Sequence, residues 1–115
     1  MTAQPASSHA LEIVVTQADG RTVIALAGSL DAATAPELTE EFAAFARRDH
    51  HQIELDLAKL DFMDSSGLSV IVAAHKRTQR GGGTLTILSP NRRVIRLIQL
   101  GGLMSYLIVK PRMSL

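Results

Sequence analysis

The chain has 115 residues, no cysteine, and 12 Lys+Arg against 11 Asp+Glu, a net charge of +1. That length fits one domain, its 46% hydrophobic content excludes disorder over most of the chain, and the lack of cysteine excludes disulfides and thiolate metal sites. A near-neutral charge and 3% aromatic residues do not supply the basic field or the stacking platforms of a nucleic-acid binder. Residues 1–8 (MTAQPASS) have neither a basic start nor an apolar run, so they are not read as a secretory signal. The longest apolar stretch, residues 68–74, contains Ser69 and falls far short of the roughly 20 residues a bilayer span needs. The expectation is a cytoplasmic domain over residues 10–110, with a disordered tail at 1–9 and a short tail at 111–115.

Leu11, Ile13 and Val15 recur with period two and predict a first strand, closed by the turn pair Asp19-Gly20. Thr22 to Leu26 reads as a second strand forming a hairpin with the first, and Gly28 breaks it. Ser29-Leu30-Asp31 leads into a helix whose start signal is Thr34 as N-cap, Pro36 in the first turn and Glu37 completing a capping box. Leu38, Phe42 and Phe45 give its apolar face, with Glu40, Glu41, Arg47 and Arg48 elsewhere, and it stops near Asp49-His50.

Ile53, Leu55 and Leu57 predict a third strand, and residues 58–64 (AKLDFMD) have no clean period and read as a loop. A second helix opens at Ser65-Ser66-Gly67, with Leu68, Ile71, Val72 and His75 on one face and Lys76, Arg77 and Arg80 at its end. Gly81-Gly82-Gly83 terminates it; lacking a following Lys-Ser/Thr, it is not a phosphate loop. Leu85, Ile87 and Leu88 make a fourth strand. Ser89-Pro90 is taken as the start of a third helix, with Val94, Leu97 and Ile98 inward and Arg92, Arg93 and Arg96 outward, and Gly101-Gly102 stops it. Residues 103–109 predict the last strand. The order β-β-α-β-α-β-α-β belongs to an α/β fold with a mixed sheet of about five strands and right-handed crossovers.

The stretch at residues 57–72, LAKLDFMDSSGLSVIV, carries the chemistry. A strand runs out, Asp61 and Asp64 follow, and a helix begins at two hydroxyls. On local pattern alone this is a helix cap, with Asp64 or Ser65 accepting from the free amides. The same place suits a phosphate, because free amides and the helix dipole favour an anion. A phosphate there would add about −1.5 to −2 charges next to Asp64, repelling a docked partner without unfolding the domain. Ser66 is a rival acceptor by chemistry.

The run DFMDSSGLSVIVAAHKRTQRGGGTLTILSPNRRVIRLIQLGGL, with the earlier AGSLDAATAPEL, resembles the STAS-domain anti-sigma-factor antagonists over about residues 11–110. The matching features are Gly28, Leu30 and Asp31, then Asp64-Ser65-Ser66-Gly67-Leu68, then Ser89-Pro90 and Gly101-Gly102-Leu103. The resemblance implies a STAS fold and a binding protein rather than an enzyme. It implies that an anti-sigma factor, itself a serine kinase, binds the unphosphorylated form, which frees the sigma factor. It selects Ser65 as the phosphorylated residue, in an environment of Asp64, Ser66 and Gly67, with a serine phosphatase to reset it. It also places Asp31 at the kinase contact. Thr34, Met63, Leu68 and Ser69 are expected to join that partner interface, with core membership the alternative for Leu68. Two departures stand out: Ser29 replaces a carboxylate common in the family, and the chain ends soon after its last strand, so one sheet face is expected to be less covered or met by another chain. The alternative function is a constitutive STAS subunit of a transporter ATPase or a stress-signalling scaffold.

Other signals are weaker. Ser65 as a hydrolase nucleophile lacks a G-x-S-x-G elbow and a histidine in a recognisable motif among His9, His50, His51 and His75. Adjacent His50 and His51 before a strand point to opposite faces, so no metal or cofactor is assigned. The three arginines of the third helix read as a solvated face or as a contact for an acidic partner. An open edge on the first strand is a route to a homodimer.

Overall fold

A computed structural model describes residues 10–18, 20–44 and 51–110 of the chain. Within them lie five strands and three helices in the expected order: β1 (Leu11–Ala18), β2 (Arg21–Leu30), α1 (Ala35–Ala43), β3 (Gln52–Met63), α2 (Ser65–Arg80), β4 (Thr84–Leu88), α3 (Arg92–Leu100) and β5 (Ile108–Lys110). The two tails at 1–9 and 111–115, Asp19, the expected helix residues Phe45, Arg47 and Arg48, and the stop at Asp49-His50 lie outside the described residues.

The strands form one sheet in the order β1-β2-β3-β4-β5, antiparallel between β1 and β2 and parallel thereafter. Each crossover moves one strand in the same direction. Right-handed connections of that kind put every helix on one face. The core agrees: Ile24, Leu26, Ile53, Leu55, Leu57, Leu85 and Ile87 of the sheet share one cluster with Leu38 and Phe42 of α1, Ile71 of α2, and Val94 and Ile98 of α3. The alternate positions face the other way. Val14, Ala25, Asp56, Leu88 and Lys110 form one row across that second face, and no described helix packs on it. Arg21 and Glu54 form an ion pair of 3.0 Å.

Four boundaries differ from the sequence reading. Gly28 does not end β2. It sits inside the strand with φ +100°, and a Cβ on it would lie 2.3 Å from the Ala10 carbonyl oxygen, so only glycine fits this kink. Residues 58–63 are strand rather than loop. Register shifts between Ala25 and Ala27 and between Gly28 and Ser29 let β3 continue beside β2 to the pair Leu30–Met63. The bulges change the burial spacing on β3 from two to three, at Leu57, Leu60 and Met63, which erased the period-two signal. Helix α3 starts at Arg92, not at Ser89-Pro90. Asn91 is its cap: its Oδ1 accepts from Val94 N–H at 2.9 Å while its Nδ2 donates to the Leu60 carbonyl. The last strand is only Ile108–Lys110, because residues 103–107 form a turn in which Leu107 N–H donates to the Leu103 carbonyl.

His75 lies 2% exposed on α2, and neither ring nitrogen hydrogen-bonds to a described residue. Its ring meets Tyr106 edge-on, with centroids 4.9 Å apart. Burial lowers its pKa below the ordinary 6.5. The unfolded chain therefore binds a proton that the folded chain resists. Stability is full above about pH 6.5 and falls as the pH drops below it. His75→Phe is expected to flatten this fall, so that urea denaturation at pH 5 shows a larger gain over wild type than at pH 8. An equal difference at both pH values would show that His75 is not the group titrating.

Candidate functional site

The site is the junction where β3 runs out and α2 begins. Asp64 is extended (φ −113°, ψ −173°), and its N–H donates to the Leu30 carbonyl at 3.2 Å. Its carboxylate turns back over the helix end. Oδ1 accepts from Ser66 N–H at 2.9 Å and from Gly67 N–H at 3.2 Å. This satisfies two of the amides that a helix start leaves without partners. The cap is thus made by Asp64, and the Ser65 hydroxyl is left exposed beside it. Ser66 is half-buried, and Gly67 and Leu68 are buried.

Gly67 decides how closely the helix can approach the sheet. A Cβ at this position would lie 2.6 Å from Leu30 Cγ and 2.9 Å from the Leu30 carbonyl oxygen. Leu30 itself is fully buried. One residue therefore anchors both Asp64, by hydrogen bond, and Gly67, by contact.

Asp31 follows Leu30 and organises the next turn. Its Oδ1 accepts from Ala33 N–H at 3.0 Å and Thr34 N–H at 3.1 Å. Thr34 was expected to cap α1 with Glu37, but no side-chain cap forms there. Thr34 has helical backbone angles, and its hydroxyl instead donates to the Ser29 carbonyl at 2.9 Å and accepts from Asp31 N–H at 3.0 Å. The turn is thus tied back to the end of β2 rather than to the helix it precedes.

The five residues expected at a partner interface divide sharply. Asp31, Thr34, Met63 and Leu68 are all buried, between 4% and 8% exposed, and only Ser69 is exposed. Met63 and Leu68 belong to the core cluster. Exposed at this end of the sheet are Ala32 and Ala33, on the turn that follows β2, and Phe62, 42% exposed, at the end of β3. Phe62 is not legible in the sequence, because residues 58–64 have no clean period and predict a loop. A strand continued to Met63 places Phe62 and Met63 on opposite sides, and only Met63 is needed for the core. Ser69 lies one turn after Ser65, and its hydroxyl donates to the Ser65 carbonyl at 2.9 Å.

His50 lies outside the described residues, and the His51 ring is buried against the Thr22 hydroxyl, to which it hydrogen-bonds. Among the described residues no three His, Cys, Asp or Glu side chains gather into a metal-binding group, and no helix is long and apolar enough to cross a membrane.

The profile of the STAS domain matches residues 12–114. The chain belongs to the STAS domain family. Within that family, this STAS domain is 35% identical over 94 residues to the anti-sigma F factor antagonist of Paenibacillus polymyxa, covering 81% of this chain and 80% of that protein. The crystal structure of an anti-sigma factor antagonist from Mycobacterium paratuberculosis superimposes with a TM-score of 0.80 at 24% identity, over 90% of this chain and 88% of that one. The Bacillus cell fate determinant SpoIIAA in its phosphorylated form matches with a TM-score of 0.70 at 20% identity, over 85% of this chain and 90% of that one. These two structural likenesses show the STAS fold.

Two substitutions test the local physics of the STAS junction. Asp64→Ala is expected to cost about 1 kcal/mol by removing the cap, and Gly67→Ala about 1–3 kcal/mol by forcing a methyl into Leu30. Both are read from urea denaturation midpoints. A Gly67→Ala protein as stable as wild type would contradict the close approach of α2 to β2.

Proposed function

We propose that this protein is an anti-sigma factor antagonist gated by phosphorylation at Ser65. The unphosphorylated protein binds an anti-sigma factor that is a serine kinase, and so releases the sigma factor. Phosphate transferred from ATP to the Ser65 hydroxyl ends that binding, and a serine phosphatase restores it. The protein is a kinase substrate and binding module rather than a catalyst, and its place is the cytoplasm, where its partners and ATP are.

The observation that carries this reading is the exposed Ser65 hydroxyl at the positive end of a 16-residue helix whose cap is already made by Asp64. A kinase can therefore take the hydroxyl without breaking the cap. The added phosphate, about −1.5 to −2 charges, stands beside the Asp64 carboxylate and projects from the surface, because Ser66 and Gly67 N–H are already bonded to Asp64. A partner seated there meets like-charge repulsion and the cost of stripping water from a dianion. The curated relative from Paenibacillus polymyxa supports the function, and SpoIIAA supports the chemistry, since its structure is that of a phosphorylated form.

Asp31 and Thr34 act from below the surface in this reading. Their hydrogen bonds hold the turn that carries the exposed Ala32 and Ala33 directly after Leu30, the residue to whose carbonyl Asp64 is bonded. Met63 and Leu68 set the height of the junction from the core.

Incubation with a cognate anti-sigma-factor kinase and ATP tests the proposal. Wild type is expected to take up one phosphate and Ser65→Ala none. Ser65→Asp should weaken the complex by about a hundredfold, equivalent to ~2.7 kcal/mol, with a melting temperature near that of wild type. Phosphate retained by Ser65→Ala would defeat the assignment. A stable co-purifying ATPase with no phosphoserine in cells would point instead to a constitutive STAS subunit.

A further inference from the structure

The near-neutral net charge conceals a division along the chain. All 11 Asp and Glu lie in residues 1–64, together with four Lys and Arg; residues 65–115 hold the other eight Lys and Arg and no acid. The two halves therefore carry charges of −7 and +8. Because the strands lie across the sheet in chain order, a division in sequence becomes a division in space. Strands β1 to β3 with α1 make an acidic side, and β4, α3 and β5 make a basic one.

Folding does not account for where these cations stand. Arg92 and Arg93 open α3, where the helix dipole favours anions, and that helix contains no acid. Arg92, Arg93 and Arg96 of α3 and Lys76 and Arg80 of α2 are all exposed, and among the described residues none of them has an ion pair.

Apolar side chains gather on the same side. Of the six exposed large hydrophobic residues among those described, four fall between residues 100 and 108: Leu100, Met104, Tyr106 and Ile108. Leu100, at 78%, is the most exposed of them. It ends α3, and a turn leads from it into β5. Cations frame this tip. Arg96 stands one turn before Leu100 on the same stripe of α3, and Lys76 and Arg80 line a surface hollow together with Tyr106.

Cations around exposed apolar side chains match an anionic bilayer, which offers phosphates at the headgroup level and hydrocarbon just beneath. An acidic protein would answer the charge, but it would need a pocket shaped for Leu100; a bilayer needs none. The acidic half adds direction, since an anionic plane attracts the tip and repels the β1–β3 side.

We propose that the α3–β5 tip docks this protein on membranes rich in anionic phospholipid. Leu100 and Met104 enter the headgroup boundary, and Lys76, Arg80 and Arg96 meet the phosphates. Ser65 and Arg80 stand at opposite ends of the 16-residue helix α2, about 22 Å apart along its axis. The docked protein therefore keeps Ser65 clear of the lipid.

Cosedimentation of the full chain with large vesicles tests this. Wild type is expected to pellet with vesicles containing phosphatidylglycerol and not with vesicles of phosphatidylcholine alone, and to bind more weakly as salt rises. Lys76→Gln, Arg80→Gln and Arg96→Gln combined should weaken the partition by about a hundredfold, since each basic residue near an anionic surface contributes a factor of about five. Leu100→Gln should weaken it by about tenfold with the salt dependence unchanged. Should Leu100→Gln lower the melting temperature, Met104→Gln decides. Glu37→Gln with Glu40→Gln, on the acidic side, should pellet at least as well as wild type. Ser65→Asp should pellet as wild type, because its charge lies farther from the tip than the screening length of about 10 Å.

Wild type that stays in solution with phosphatidylglycerol vesicles would overturn the proposal, as would a triple variant that pellets as wild type does. Loss of binding in the triple variant with neither Leu100→Gln nor Met104→Gln affected would show attraction to any polyanion, and the tip would carry no lipid site. Loss of binding in Ser65→Asp would place the contact at the helix mouth instead. Salt-sensitive self-association without vesicle binding would assign the basic side to the acidic side of a second copy and likewise overturn the proposal.

Discussion

The contact on which the site depends is the approach of the start of α2 to the end of β2. Asp64 N–H donates to the Leu30 carbonyl, and Gly67 packs where any Cβ would strike Leu30. This fixes the helix mouth at the sheet's rim. The next residue along β2, Asp31, folds the turn that carries Ala32 and Ala33, so turn and helix mouth take their positions from one peptide group. Ser65 is thereby held at the junction of a strand and a helix rather than on a loop, which suits the role of phosphoryl acceptor proposed for it.

Under the proposed function, the electrostatics of the helix mouth separate folding from signalling. Asp64 satisfies Ser66 and Gly67 N–H in the resting protein, so the helix does not require a phosphate to be capped. Had a serine made the cap, its modification would have remade the helix end. Here the hydroxyl stands beside the cap, and a change in its charge is felt mainly by whatever docks on it. The buried neighbours Asp31, Thr34, Met63 and Leu68 shape that surface without belonging to it, and substitutions at them act through folding first.

Much of the architecture is legible in hydrophobic period. The alternation of Ile53, Leu55 and Leu57, the helical spacing of Leu68, Ile71 and His75, and the glycine stops after α2 and α3 all correspond to elements of the structure. Period failed where the chain pays attention to a neighbour instead of to its own repeat. On β3 the two register shifts against β2 altered the burial spacing, and a strand was read as a loop. At α3 the residue with a partner waiting for it was Asn91, whose amide reaches the Leu60 carbonyl 31 positions away, so helix initiation moved past Ser89-Pro90. At α1 the carbonyl of Ser29 captured the Thr34 hydroxyl that local pattern assigned to a capping box.

The candidate site divides in the same way. The helix start at Asp64, Ser65, Ser66 and Gly67 is legible in residue type and order, because four consecutive residues can spell its local chemistry, while the choice of Ser65 over Ser66 comes only from the resemblance to the family. Which side chains meet solvent was not local. Phe62 and Met63 are adjacent and both apolar, yet one is exposed and the other is core, and that choice is made by the side of the sheet on which all three helices lie. The sequence by itself determined the order of elements and the chemistry of the helix mouth, since both follow from short-range periodicity and capping. Tertiary structure alone decided register, burial and the surface a partner can touch, since these depend on which distant backbone group reaches a residue first.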